Sequence, residues 1–214
     1  MAVNEHARDH GIALAAPAED LCLAFVNTRY WRGRAEPTET LGNFADLLAW
    51  LERCSASAPP LIQRARQRAT GDPAAAAQAG NEAIALRETI YRIFTAIAAG
   101  QTVTAGDLAH LNHALALTPP RVRLIAGAKG FGWAAKDAVP AVPALLAPVL
   151  WSAADLLTFA DNRRLRRCAN RECLWLFMDH SKGGTRRWCD MNSCGNRAKA
   201  KRHYARSRLR RADP

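Results

Sequence analysis

Apolar positions between residues 20 and 115 recur at spacings of three and four, the signature of helices that each bury one face. Asp20 stands where a cap would precede Leu21, Leu23, Phe25 and Val26 in LCLAFVNTRYW, and Leu41, Phe44, Leu47, Leu48 and Leu51 form a stripe over about 40–53. Leu86, Ile90, Ile93, Phe94 and Ile97 line a longer helix from about Pro73 to Ala99, which Gly100 stops. Thr104 with Asp107 three positions later reads as a capping box for a helix carrying Leu108, Leu111 and Leu115. The period then changes. RVRLIA and FGWAAK flank GAKG between Pro120 and Pro140, the pattern of a β-hairpin, and a last helix over about 146–160 leads into a different kind of sequence. No repeat or coiled coil appears, and low complexity is confined to the alanine run at 74–77.

The stretch 138–160 is nearly uncharged over about the length a bilayer needs. Pro140, Pro143 and Pro148 interrupt it and Asp155 lies in its second half, so a connector feeding a buried helix fits better than a membrane span. The start MAVNEHARDHGIALAAP has no continuous apolar core of the kind a secretory signal needs. The expected location is the cytoplasm, where thiols stay reduced.

Charge divides the chain. Residues 1–160 hold 14 Lys and Arg against 14 Asp and Glu, whereas 161–214 hold 16 against 5, so the whole net charge of +11 lies in the second segment. This predicts two domains with separate cores, 1–160 and 161–214, and a polyanionic partner for the second.

Cys168, Cys173, Cys189 and Cys194 fall within that basic segment as C-x4-C, fifteen residues, C-x4-C. Two close pairs joined by a loop can close a tetrahedral site with little ordering of chain, which makes one structural Zn(II) per chain the first assignment. Two disulfides, or four thiols merely buried as small hydrophobes, are the alternatives. Cys22 and Cys54 stand alone among apolar residues and are expected to pack in the core. Between the pairs, Leu174, Leu176 and Met178 alternate with Trp175 and Phe177; Gly183 and Gly184 can turn, and Arg186 to Trp188 return, as in a hairpin. A helix without Gly or Pro, NRAKAKRHYARSRLR, follows. The predicted fold class is α+β: a mostly helical N-terminal domain with a β-hairpin, then a small treble-clef zinc finger.

With RRLRRCANRECLWLFMDHSKGGTRRWCDMNSCGNRAKAKRHYAR in view, the C-terminal segment resembles the CGNR-type zinc finger, whose signature run is Cys194, Gly195, Asn196 and Arg197 here. Residues 1–160, with LCLAFVNTRYW and the long central helix, are similar to the ABATE domain that precedes this finger in bacterial stress-responsive transcription regulators. The resemblance implies a treble clef, DNA binding, and an N-terminal domain that senses a ligand.

The residues carry part of this without the family. On the last helix Arg197, Lys201, Tyr204, Arg208 and Arg211 share one face, and no Asp or Glu occurs from 191 to 212. Arg186, Arg187, Arg197, Lys199, Lys201, Arg202 and Arg208 are the candidate nucleic-acid contacts. Asn27, Arg29, Trp31 and Arg32 are the candidate ligand-binding cluster, with capping of the first helix end as the alternative role of Asn27 and Thr28. His110 and His113 share a helix face but lack a third ligand. The chain is expected not to be an enzyme: no G-x-S-x-G, P-loop, G-x-G-x-x-G or H-E-x-x-H occurs. Two alternatives to a DNA-binding regulator remain. One is an RNA or ribosome-binding module stacking bases on Trp175, Phe177, Trp188 and Tyr204. The other is an HNH-like metal-dependent nuclease using Asp179, His180, Asn196 and His203. A homodimer is favoured, since one small finger offers little contact.

Overall fold

The computed structural model describes residues 12–15, 20–127, 130–135, 139–158 and 164–212. In chain order the elements are β1 (Ile12–Ala15), α1 (Leu21–Val26), β2 (Arg29–Tyr30), β3 (Thr38–Glu39), α2 (Phe44–Arg53), α3 (Pro59–Gly71), α4 (Pro73–Ala98), α5 (Ala105–Ala116), β4 (Leu124–Gly127), β5 (Gly130–Ala135), α6 (Val142–Leu145), α7 (Ala147–Thr158), β6 (Leu165–Arg167), β7 (Leu176–Met178) and α8 (Asn196–Ala212). A π-helical turn, Met191–Gly195, leads into α8.

Local chemistry sets most of these boundaries. The Asn43 side chain accepts from the Asp46 amide at 3.0 Å while the Asp46 carboxylate accepts from the Asn43 amide at 3.2 Å, a reciprocal cap that starts α2. Asp72 caps α4 through the Ala75 amide at 2.9 Å, with Pro73 at the first helical position, and Gly100 takes φ +66° just past the other end. The hairpin read from RVRLIA and FGWAAK forms as β4 and β5, with Gly127 opposite Gly130. β1 adds to it, giving the order β1-β5-β4.

The helical core gathers the stripes read from the sequence around α1, α4 and α7, and the proline-flanked apolar stretch is its centre. Ala147 through Ala153 are buried without interruption, which explains why that segment shows no polar face. Among the described residues no helix is long and apolar enough to cross a membrane.

Several expectations change. Helix α3 has no counterpart in the reading, because only Leu61, Ile62 and Ala65 are buried along its polar length. Cys22 is buried and its thiol is pushed up to about 12 by burial, but Cys54 is exposed, since it caps α2 beyond the last apolar residue of the stripe. Leu108 is also exposed. Strand β7 keeps the alternation seen in the sequence, yet its partner is β6 upstream, with Leu165 opposite Met178 and Arg167 opposite Leu176. The returning segment Arg186–Trp188 forms no strand and lies against the knuckle instead, with the Ala169 amide donating to the Arg187 carbonyl at 2.9 Å.

The pairing of β6 with β7 has a larger consequence for the core. Leu165, Leu176 and Met178 join the hydrophobic core of the helical domain, while Phe177 faces the cysteines. The boundary between the two cores therefore runs through β7 itself: the helical core takes in Leu165, Leu176 and Met178, and the cysteines keep a cluster of their own with Phe177.

A buried ion cluster fixes the region beside it. The fully buried Arg87 guanidinium donates to both Glu39 carboxylate oxygens, at 2.6 and 2.5 Å, to Glu88 at 3.0 Å and to Thr28 Oγ1 at 3.1 Å. Arg32 donates to the same Glu88 at 2.6 Å and lies 3.8 Å over the Tyr91 ring. Burial alone would raise the pKa of Glu39 and Glu88, but hydrogen bonds from Arg87 and Arg32 outweigh it and both end below the ordinary glutamate range. Their contribution to stability is complete above the unfolded glutamate pKa of about 4.3 and is lost as the pH falls through the depressed folded values. Arg87→Met is expected to destabilise the fold by about 3–5 kcal/mol, since it strands two half-buried carboxylates, and to weaken the loss of stability between neutral and acid pH. Urea unfolding of both proteins at neutral pH and below pH 4 checks this; equal midpoints would assign the cluster no structural weight.

Candidate metal centre and nucleic-acid interface

Cys168 and Cys173 lie in the loop joining β6 to β7, Cys189 follows the returning segment, and Cys194 sits in the π-helical turn. All six cysteines are free thiols. The four Sγ atoms lie within 4.8 Å of one another, and Cys173 and Cys189 approach to 3.6 Å. A tetrahedron with metal–sulfur bonds of about 2.3 Å spaces its sulfurs about 3.8 Å apart, so the cluster fits a four-thiolate metal site.

The electrostatics point the same way. Hydrogen bonds from Cys173 and Cys189 push the Cys168 thiol down to about 2, whereas the bonds to Cys168 push Cys173 up to about 12 and Cys189 upward as well. Four sulfurs this close repel one another as thiolates, and a cation among them offsets that repulsion.

The backbone around the cluster is tightly constrained. The Cys168 amide donates to the Trp175 carbonyl at 2.8 Å, and Leu174 adopts φ +59° directly after Cys173. Asn170 accepts from the Glu172 amide at 3.1 Å and reaches Cys194 Sγ at 3.5 Å. Two aspartates that the sequence reading did not assign to structure organise the rest. Buried Asp179 accepts from Ser181 Oγ at 2.6 Å, the Ser181 amide at 3.0 Å and the Arg186 amide at 2.8 Å; hydrogen bonds from Ser181 hold its carboxyl below the usual range. Asp190 accepts from the Asn192 and Ser193 amides, at 3.1 and 3.0 Å, and so starts the turn that presents Cys194. The sequence signal for Asp190 was an acid three positions before Ser193 at a helix start.

The candidate nucleic-acid contacts separate into groups. Arg197, Lys199, Lys201 and Arg202 are exposed on the first turns of α8, Arg202 donating to the Ala198 carbonyl at 3.3 Å. Arg187 is exposed, 5.5 Å from the Trp188 ring centre. Arg186 turns inward, donating to the Trp188 carbonyl at 2.9 Å and to the Cys189 carbonyl, 4.5 Å over Phe177. Arg208 lies on α8 where side chains fall outside the described residues.

Asn27, Arg29, Trp31 and Arg32 are brought together at the junction of the two domains. The Asn27 side chain donates to the Leu176 carbonyl at 2.8 Å and accepts from the Leu176 amide at 3.1 Å, pairing with β7 as a strand residue would. At the end of α1 the Asn27 amide donates to the Leu23 carbonyl at 3.0 Å, and the Thr28 hydroxyl donates to the Phe25 carbonyl at 2.7 Å. Trp31, at φ +54°, packs against the cysteine cluster, and both Arg34 and Arg197 lie over its ring, at 4.2 and 4.3 Å. Arg32 and Arg29 reach Glu88, at 2.6 and 3.9 Å. Tyr91 donates to the Leu174 carbonyl at 3.0 Å. The Gly33 amide donates to the Glu172 carbonyl at 3.1 Å, and a Cβ at residue 33 would stand 1.8 Å from the Arg171 carbonyl oxygen. Only glycine permits that approach.

None of the four lines the groove of about 640 Å³ between α2, α3 and α4, whose walls include Leu41, Phe44, Leu48, Ala76, Gly80 and Ile84. His110 bonds Thr89 Oγ1 at 2.8 Å and His113 is exposed. Among the described residues, the four cysteines are the group of ligating side chains close enough to hold a metal.

Comparison with known families agrees with this geometry. The family model ABATE, "Putative stress-induced transcription regulator", matches residues 19–159, and the CGNR zinc finger model matches 164–207. A search of curated proteins returned no match. The chain belongs to the ABATE family and carries a CGNR zinc finger.

Trp31, Trp175 and Trp188 all pack around the thiols, and the adjoining strands enter the helical core. Stripping the metal with a chelator, or Cys189→Ser, is therefore expected to shift tryptophan emission and to lower the unfolding midpoint of the helical domain too, by about 2–4 °C for each kcal/mol lost. Thermal unfolding followed by far-ultraviolet circular dichroism checks it. An unchanged helical midpoint would show that the two clusters are independent.

Proposed function

We propose that this ABATE-family chain is a DNA-binding transcription regulator in which the finger meets DNA through α8 and the helical domain governs how the finger is held. The observation that carries this reading is the head of α8: Arg197, Lys199, Lys201 and Arg202 are exposed together on a helix without acidic residues, anchored through Cys194 to the four-cysteine site. Phosphate neutralisation by such a row releases counterions and gives affinity that depends steeply on salt. One structural Zn(II) per chain, held by Cys168, Cys173, Cys189 and Cys194, supplies the rigidity that a helix with so little buried surface lacks.

The aromatic residues favour DNA over single-stranded RNA. Phe177 is buried, Trp175 packs at a tilt against Tyr30 with ring centres 4.9 Å apart and Trp188 lies beside the cysteines, so of the four rings Tyr204 alone is exposed and they do not form an open stacking platform. We propose further that the chain is not an enzyme. The Asp179 carboxylate is already saturated by its own loop, His180 lies 3.6 Å from Asp20, and His203 is edge-on to Tyr204. An effector has a natural place in the α2–α4 groove: Leu41 on its wall follows two residues after Glu39, which holds Arg87. Pairing of two copies would supply the contact area one finger lacks.

Metal analysis of the purified chain is expected to find one zinc per chain. In anisotropy titrations against a labelled duplex, Lys201→Ala with Arg202→Ala is expected to reduce the slope of log K against log salt by about 2, roughly one for each lost phosphate contact. An unchanged slope would remove α8 from the interface, and cleavage of plasmid with Mg(II) would overturn the non-enzymatic assignment.

A further inference from the structure

Trp31 of the helical domain meets the proposed DNA-binding helix at Arg197. Trp31 leaves β2 in a left-handed backbone conformation, φ +54°, which non-glycine residues adopt only when their surroundings hold them there. Its indole packs beside the cysteine cluster and carries the guanidinium of Arg197 at 4.3 Å. The neighbouring Gly33 amide is bonded to the Glu172 carbonyl, and residue 33 has no room for a side chain, so the segment bearing Trp31 is pinned to the knuckle.

Arg197 itself is placed against its own helix. A cation in the first turn meets the positive end of the helix dipole; the acid at that end, Asp190, lies before the π-helical turn, and the first turn of α8 holds none. Arg34, the other guanidinium on Trp31, is neutralised by Glu172, with Nη2 and Nε at 3.0 and 3.1 Å from the carboxylate. Among the described residues Arg197 has no carboxylate partner. Its charge is supported by the π face of Trp31, and its N–H donors remain available to an anion arriving from solvent. A long arginine side chain pre-oriented in this way loses less conformational freedom on meeting a phosphate.

We propose that Trp31 is a positioning residue for DNA binding: it holds Arg197 ready for a phosphate contact, which makes the helical domain part of the binding machinery and links docking of the finger to affinity. This inference rests on the DNA-binding reading above. It also gives the domain junction a task that a bare structural interface would not have, since undocking the finger would release Arg197 before the complex forms.

The test is a double-mutant cycle in the full chain with a labelled random-sequence duplex, reading affinity by fluorescence anisotropy. Trp31→Leu keeps an apolar side chain against the cysteines and removes the π face; Trp31→Phe keeps both. Trp31→Leu is expected to weaken binding roughly 3–10-fold with metal content and helicity unchanged, and Trp31→Phe to recover most of that loss. Arg197→Ala combined with Trp31→Leu should bind no more weakly than Arg197→Ala alone, because both remove one contact. Independent, additive losses would overturn the proposal, as would Trp31→Leu binding like the wild type. Loss of metal from Trp31→Leu, with Trp31→Phe intact in metal yet as weak in binding as Arg197→Ala, would equally overturn it. If the wild-type chain binds no duplex while holding its metal, the DNA-binding reading itself fails. A cycle that fails on a wild type that binds sinks only the role of Trp31.

Discussion

Strand β7 has no solvent face, and the architecture depends on that constraint. Leu176 and Met178 point into the core of the helical domain, and Phe177 points at the four thiols, so a three-residue strand belongs to two structures at once. Such a strand cannot hold its place through the finger alone. Asn27 secures its outer edge by exchanging two hydrogen bonds with Leu176, and Tyr91 takes the Leu174 carbonyl just upstream. An asparagine side chain offers the donor and acceptor of a peptide group, which is why it can finish a sheet edge that no further strand pairs among the described residues.

This arrangement ties the ion cluster to the metal centre. Glu39, Arg87 and Glu88 fix the short β2–β3 ribbon on α4, Arg32 anchors the end of that ribbon to Glu88 and Tyr91, and the next turn delivers Trp31 and Gly33 to the knuckle. Arg87 is paired with both glutamates while the buried Nε of Arg32 has no hydrogen-bond partner, so the cluster acts chiefly by demanding one arrangement of these elements. Changes in the helical domain therefore have a short physical route to α8, through packed side chains and hydrogen bonds between elements that touch.

Much of this was legible in the sequence, and the failures are instructive. The stripes of α2 and α4, the Gly100 stop, the Thr104 cap, the hairpin at GAKG and the four-cysteine site follow from local spacing, which the structure preserves. The charge division marked where the basic element lies and carried no information about packing, because net charge reports on surfaces while Leu165, Leu176 and Met178 join the helical core and the cysteines cluster separately. LCLAFVNTRYW drew notice as a polar and aromatic cluster at a helix end. Its residues do gather in one place, but around a junction whose other half lies 149 residues away at Leu176, beyond any local pattern. Arg186 shows the same limit: composition made it a surface cation, and only the fold reveals the carbonyls it serves.

Amide hydrogen exchange on the metal-loaded chain and on the chain stripped by a chelator tests the central claim, that the metal centre and the helical domain share one cooperative structure, most directly. Metal removal should raise exchange across 168–195 and also in 27–33 and the 87–94 turns of α4, since β7 would lose the face that the cysteines support. Faster exchange confined to 168–195, with 27–33 and α4 as protected as before, would contradict the account.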